Sequence, residues 1–300
     1  MSLLEGAIPA LVTPFTKEDE VDVKLLQELI EWQLAQKAGG LYLTGSTGEG
    51  FLMSIPERQL VVETVVKQVR GRVPVVSQVG ALASRDAAAL AKGAEAAGAD
   101  GVSAVPPFYF RVDYAGLKLH YATIGSACGL PLYLYNVPAT TGVLVTAAQF
   151  GQLIQDVPTV AGMKYTAYDF FNMRQIIELD GGRLNIVSGP DEMFLPALSM
   201  GVDGAIGTTL NYMCLQFHQI YQAFKAGDMG CALEIQSKVN HVIAVLLKYG
   251  TLGAINKAPL RFLGFDIDDG RAPIRPLTDQ EREKLRADLE EAGFFDLERN

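Results

Sequence analysis

A lysine closing an apolar run is the residue of this chain whose type and place most need a chemical explanation. In "TVAGMKYTAYDF" (159–170), small apolar residues lead to Lys164, with polar Tyr165 and Thr166 directly behind it. Taking a lysine out of water is costly without a partner. Two readings meet the pattern. The stem can lie along the surface with its charge in water, or the amine can be sheltered so that part of it is neutral and nucleophilic. A lysine at its ordinary pKa of ~10.4 is almost wholly protonated at neutral pH, and burial that lowers this by one unit multiplies the free amine about tenfold. Such an amine adds to a ketone, and the resulting imine draws electrons from a neighbouring carbon–carbon bond.

Other short segments carry groups that suit this chemistry. "TGSTGEGF" (44–51) has glycines that let the backbone approach a ligand. The consecutive amides of Ser46, Thr47 and Gly48 can form an anion-binding concavity. No P-loop lysine follows, so a small carboxylate is the expected guest, and an ordinary tight turn is the alternative. In "YLYNVPATTG" (133–142), Tyr135 can meet the Lys164 amine and relay protons through Ser46 or Thr47, or can be a tyrosine satisfied by backbone. "VPPFYF" (105–110) carries Tyr109, "SGPDEMF" (188–194) carries Gly189, Asp191 and Glu192, and "GTTLN" (207–211) carries Thr208 and Thr209. The two carboxylates either cap the helix that follows or accept hydrogen bonds from sugar hydroxyls. His120, His218 and His241 fall in separate helical segments without ligand spacing, and no Cys/His/carboxylate cluster accompanies them, so no metal or other cofactor is expected. Nor is there a G-x-S-x-G elbow or a Rossmann glycine pattern. Cys128, Cys214 and Cys231 are odd in number and unpatterned, the signature of reduced thiols in a cytoplasmic protein, here read as small core residues.

These groups meet only if the fold brings them together. Strands are expected at "AIPALV" (7–12), "LYLTG" (41–45), "VPVVSQV" (73–79), "GVSAV" (101–105), "LPLYLY" (130–135), "VAGMKY" (160–165), "LNIVS" (184–188) and "DGAIG" (203–207). They are almost continuously apolar, as parallel strands covered on both faces should be. Between them run amphipathic segments. Leu26, Leu29, Ile30 and Leu34 share one stripe. Ser54 and Glu57 form a capping-box pattern with Pro56 in the first turn. The segment 84–100 ends on Gly98 as a C-cap. Eight β-then-α units without a break in composition predict a single domain over 1–300, a (β/α)8 TIM barrel spanning about 6–225. "CLQFHQIYQAFKAGD", "MGCALEIQSKVNHVIAVLLKYG", "TLGAINKAPLRFLGF" and "DQEREKLRADLEEAGF" read as helices, the later ones forming a C-terminal extension over about 226–300. Lys164 then lies at the C-terminal end of strand six, the rim where barrels do chemistry, and its catalytic reading leads.

Composition excludes several classes of partner. With 300 residues, 49% of them hydrophobic, the chain can bury a large core. Its formal charge of −9 suits neither nucleic acid nor an anionic membrane surface. No run approaches the ~18 apolar residues of a membrane span. "MSLLEGAIPA" lacks the basic and apolar regions of a secretory signal.

The G-[ST]-T-G-E loop, the Y-N-x-P segment and the G-x-K strand, in this order and spacing, resemble the pyruvate-dependent class I aldolases that include dihydrodipicolinate synthase and N-acetylneuraminate lyase. The resemblance runs from "IPALVTPF" through the C-terminal helices. It implies a (β/α)8 barrel, a Schiff-base lysine, no metal and a homotetramer. Residue by residue, it implies Lys164 as the imine-forming residue and Tyr135 as the proton-transfer residue. Ser46 and Thr47 would hold the pyruvyl carboxylate, with Ser46 linking Tyr135 to Tyr109 and Tyr109 completing the relay across a subunit interface. Dihydrodipicolinate synthases typically read Y-N-V-P-x-R-T-G, whereas "YNVPATTG" has Thr140 in the arginine's place. Threonine cannot act as a bidentate, permanently charged clamp. The sialic acid lyases resemble this chain better, with G-S-T-G-E, P-F-Y, G-x-D-E and a hydroxyl residue two positions past the lysine. Gly189, Asp191, Glu192, Thr208 and Thr166 are then expected partners of a polyol substrate. "KYTAYD" and "YGTLGA" depart from the commonest lyase sequences, which keeps other 2-keto-acid aldolases, hydratase-aldolases and dihydrodipicolinate synthase open. A barrel that binds a 2-keto acid without turnover is the reading from another class.

Overall fold

Apolar runs of five to seven residues, too short for helices, become strands of three to six residues that are buried on both faces. The computed structural model describes residues 3–250 and 252–297. Met1, Ser2, Thr251 and residues 298–300, which the sequence reading included in its N-terminus, third extension helix and C-terminal extension, lie outside the described residues. Eight strands form: β1 Gly6–Pro9, β2 Leu41–Leu43, β3 Val75–Gln78, β4 Gly101–Ala104, β5 Leu132–Asn136, β6 Val160–Tyr165, β7 Asn185–Ser188 and β8 Gly204–Gly207. They pair in parallel in the order β1-β8-β7-β6-β5-β4-β3-β2. A parallel bridge from Ala10 to Tyr42 joins the two ends, and the Leu11 amide donates to the Tyr42 carbonyl at 2.8 Å. The fold is therefore the expected (β/α)8 barrel.

Each strand is followed by a helix on the outside: α1 Val23–Ala35, α2 Ile55–Val69, α3 Ser84–Ala97, α4 Tyr114–Gly125, α5 Ala147–Asp156, α6 Phe170–Ile177, α7 Phe194–Met200 and α8 Leu210–Lys225. The first helix buries Leu26, Leu29 and Ile30, with Leu34 at the edge of the stripe. In α2 the Ser54 side chain accepts from the Glu57 amide while Glu57 reaches back to the Ser54 amide, closing the capping box. Gly98 ends α3 in the left-handed conformation. One core layer lies between sheet and helices, and a second, including Ile8, Tyr42, Val76, Tyr135, Val187 and Ile206, fills the barrel.

Several strands are shorter than their apolar runs. Thr44 and Gly45 leave β2 because Thr44 turns to a φ of +53°. Beyond the barrel come α9 Met229–Tyr249, two short helical segments Leu252–Asn256 and Ala258–Phe262, and α10 Asp279–Glu291. The third expected helix is thus broken at Lys257. Cys128 and Cys214 are buried, but Cys231 corrects the expectation of a core thiol. It lies in the first turn of α9 on the side away from Ala232 and Gln236, the residues that face the core.

A local irregularity aims the key strand. Leu132 pairs with Val160 and Tyr133 with Gly162, so β6 carries one extra residue, a β-bulge. From there Tyr135 stands opposite Lys164, and Lys164 opposite Val187 on β7. Position 162 must be glycine: a Cβ there would stand 2.0 Å from the Asn185 carbonyl oxygen and 2.8 Å from the Tyr133 ring.

Candidate active site

Lys164 occupies the C-terminal end of β6 and is only 5% exposed, so its side chain does not run out to water. Its Nζ lies 4.3 Å from the centroid of the Tyr135 ring and 4.5 Å from that of Tyr42. Among the described residues no carboxylate forms a salt bridge with it. Two aromatic faces offer a cation modest stabilisation while leaving the nitrogen lone pair, once deprotonated, uncommitted. Tyr42 was not singled out by the sequence reading. The available signal was its inward place on β2, one residue before the turn begins. Its hydroxyl donates to Ser103 Oγ at 3.1 Å, and burial pushes its phenol well up.

The β2–α2 turn presents open donors. The Glu49 and Gly50 amides close the turn onto the carbonyls of Ser46 and Gly45. The Ser46, Thr47 and Gly48 amides donate to no other described residue, and three open amides in succession are the donor set a small anion needs. The Gly48 carbonyl is held by Thr13 Oγ1 at 2.8 Å. Thr47 Oγ1 lies 2.6 Å from Thr208 Oγ1, so the loops after β2 and β8 touch through the two expected hydroxyls.

Asp191 is buried in the loop after β7, against the loop after β8. Its Oδ2 accepts from the Thr209 amide and hydroxyl, both at 2.8 Å, and its Oδ1 has no hydrogen-bond partner among the described residues. Burial raises its pKa to about 6, against the pull of the Thr209 bonds and of the nearby Lys164 charge. A Cβ at position 207 would overlap that Oδ1, so Gly207 makes the space the carboxylate occupies. Glu192 is half-buried and accepts from the Tyr168 hydroxyl, a residue outside the sequence reading; that bond and burial push the Tyr168 phenol up to about 12. Thr166 Oγ1 is buried without a partner and packs where Gly189 has no side chain. The Gly189 amide is already bound to the Tyr165 carbonyl at 2.8 Å. Two residues of α9 brace this loop: Gln236 donates to the Asp191 carbonyl at 3.4 Å and Asn240 to the Glu192 carbonyl at 3.1 Å.

Lys164, Tyr135, Thr47, Gly48, Thr166, Gly189, Asp191, Glu192 and Thr208 therefore ring one end of the barrel. Two expected residues stand apart. Ser46 is exposed, and its hydroxyl bonds neither Tyr135 nor Tyr109. Tyr109 is 85% exposed, has a φ of +73° and meets the Phe110 ring edge-on. The Ser46–Tyr135–Tyr109 relay is not hydrogen-bonded within one chain. Among the described residues no group of three or more His, Cys, Asp or Glu is arranged to hold a metal ion.

A barrel with a buried lysine at its C-terminal mouth narrows the class of protein to be compared. The Dihydrodipicolinate synthetase family matches residues 3–292, and the chain belongs to it. It is accordingly a carbon–carbon lyase of the aldolase type. Its relatives include "N-acetylneuraminate lyase 2" of Escherichia coli, 36% identical over 99% of this chain and 96% of that protein. CdNal from Clostridium difficile, solved in complex with mannosamine, superposes with a TM-score of 0.91 at 33% identity, covering 96% of this chain and 99% of the other. Dihydrodipicolinate synthase from Aquifex aeolicus superposes with a TM-score of 0.90 at 27% identity, covering 97% and 99%. No helix among the described residues is long and apolar enough to cross a membrane.

Proposed function

We propose that the chain is a Schiff-base, pyruvate-dependent aldolase that cleaves N-acetylneuraminate, or a close 2-keto sugar acid, to pyruvate and the amino-sugar aldehyde. One observation carries this: a buried lysine amine lies against two tyrosine rings, one of them on β2, the strand that leads into the turn with three open amides. The amides of Ser46, Thr47 and Gly48 take the substrate carboxylate and set its C2 ketone over Lys164. The amine adds to C2, and the C2 oxygen leaves as water with the Tyr135 proton, which leaves a protonated imine and a Tyr135 phenolate. As the C4 hydroxyl loses its proton to Tyr135, the C3–C4 bond breaks and its electron pair passes into the imine as an enamine. The aldehyde leaves, C3 takes up a proton, and water releases pyruvate from Lys164. Thr166, the Gly189 carbonyl, Asp191, Glu192 and Thr208 receive the polyol hydroxyls. The working form is a homotetramer in which a neighbour's Tyr109 completes the relay, and the free cysteines suit a cytoplasmic location.

A second reading, dihydrodipicolinate synthase or a 2-keto-3-deoxy sugar acid aldolase, rests on the shared fold. Thr140 weighs against the synthase, since losing a charge-assisted clamp costs on the order of 1.5–3 kcal/mol of binding. Borohydride reduction in the presence of pyruvate should add a pyruvyl mass to Lys164. Lys164→Ala should abolish that adduct and lower turnover roughly 10⁵-fold or more. An adduct that persists in the alanine variant would assign the nucleophile elsewhere. Comparing N-acetylneuraminate cleavage with aspartate-semialdehyde condensation separates the two substrate readings.

A further inference from the structure

A second lysine is more deeply buried than Lys164, and the proposed chemistry does not use it. Lys257, 1% exposed, sits between the two short helical segments of the extension. Its Nζ is 2.6 Å from Glu49 Oε1, 2.7 Å from Asp268 Oδ2 and 4.6 Å from the Phe15 ring centroid. Both carboxylates engage this amine in ion pairs, so it is placed to hold neighbouring segments together. Its partner Glu49 ends the anion-binding turn, and Glu49 holds a left-handed φ of +56°, which a non-glycine residue adopts at a cost. The other Glu49 oxygen accepts from the Arg271 amide at 2.7 Å. Asn256, next to Lys257, donates to the Thr47 carbonyl at 3.4 Å. Asp268 is tied in turn to the Phe15 and Gly270 amides, at 2.9 and 2.7 Å. The Arg271 guanidinium, 4.0 Å from the Phe15 ring centroid, reaches Glu57 Oε1 at 2.6 Å and Asp19 Oδ1 at 2.7 Å. The segment around 256–271 thus forms a strap across the loops after β1 and β2, with Lys257 as its central cation.

We infer that Lys257 is a positioning residue for the carboxylate-binding turn. By neutralising Glu49 and holding it in its left-handed conformation, it keeps the amides of Ser46, Thr47 and Gly48 converged on one point, and it couples that point to the C-terminal extension. The inference rests on the proposed role of this turn as the seat of the pyruvyl carboxylate. Removing Lys257 leaves the buried Glu49 carboxylate and the half-buried Asp268 carboxylate without their shared cation, which also threatens folding. The test therefore uses Lys257→Met together with the neutral pair Glu49→Gln/Lys257→Met, in which no unpaired charge remains at Glu49.

Two measurements are made on the full chain: the pyruvate concentration that half-saturates borohydride trapping, and hydrogen exchange of the amides in 45–50. In the neutral pair, half-saturation should rise about tenfold while trapping at saturating pyruvate still goes to completion. Exchange in the turn should quicken about tenfold, with the barrel strands unchanged. A purely structural role predicts no such split between affinity and final extent. A folded neutral pair with parental half-saturation and parental exchange overturns the inference, and it decides the matter if Lys257→Met alone does not fold. A parent chain that fails to trap pyruvate instead removes the Lys164 reading, and the exchange measurement still supports or overturns the bracing of the turn.

Discussion

At the barrel mouth the Lys164 amine and one oxygen of Asp191 are both out of water and lack a hydrogen-bonded partner among the described residues, and burial gives Asp191 an unusual titration. Its folded-state pKa of about 6 lies above the ordinary 3.8. Between those values the folded chain keeps a proton that the unfolded chain has lost. The stability this group contributes is therefore full below about 3.8 and falls as pH rises to about 6, the reverse of an ion-paired carboxylate. Ionising it in place costs on the order of 3 kcal/mol. Binding should run the other way, because a hydroxyl is best received by the ionised form. The KM for a polyol substrate should fall as pH rises through about 6. Asp191→Asn keeps an acceptor for Thr209 and removes the charge, so it should erase that inflection and raise the melting temperature at neutral pH. A variant with the same inflection would place the titration on another group.

Among the elements, β6 shows how a strand can be aimed by one extra residue. The bulge at Ala161 sets Tyr135 against Lys164, and Gly162 lets the strand pass close to β7 and the Tyr133 ring. Gly162→Ala should therefore both destabilise the chain by about 1–3 kcal/mol, as overpacking does, and disturb the reach of Lys164. Pyruvate trapping by Gly162→Ala should be slowed more than its melting temperature alone predicts, measured well below the unfolding transition. Trapping at the parental rate in a destabilised variant would show that the glycine serves packing only. The turn after β2 obeys a related rule. Its left-handed positions are taken by Thr44 and Glu49, held by Gln78 and Lys257, while Gly50 is needed because a Cβ would strike the Thr44 carbonyl.

Across the whole molecule, the C-terminal extension braces the site from two sides. Gln236 and Asn240 hold the loop after β7, and Lys257 and Arg271 hold the loop after β2. Tyr109 is exposed beside Phe110, itself an exposed aromatic, and its use in a proton relay requires a neighbouring chain. Specific activity should then fall on dilution in step with dissociation seen by sedimentation. Tyr109→Phe should lose activity in the assembled state and show little further dilution dependence. Constant activity across the dissociation range would leave Tyr109 outside the relay.

Much of this was legible along the chain because the governing interactions are local. The Ser54 and Glu57 box spans three residues, α1 repeats its apolar stripe every turn, and an apolar run of strand length has to be covered on both faces. Once eight strands alternate with eight helices, the residues that end the strands must gather at one rim, so Lys164, Tyr135, Thr47, Asp191 and Thr208 could be named together. Other properties come from neighbours remote in sequence. The Tyr42 ring beside Lys164, the hold of Lys257 on Glu49, the buried carboxylate of Asp191 and the exposure of Ser46 and Cys231 follow no periodicity. Desolvation and charge act through space, and their size depends on which distant segment ends up within a few ångströms. Residue types and spacing told which groups meet; closure of the barrel and the strap across it settled which are buried, which are paired and which face solvent.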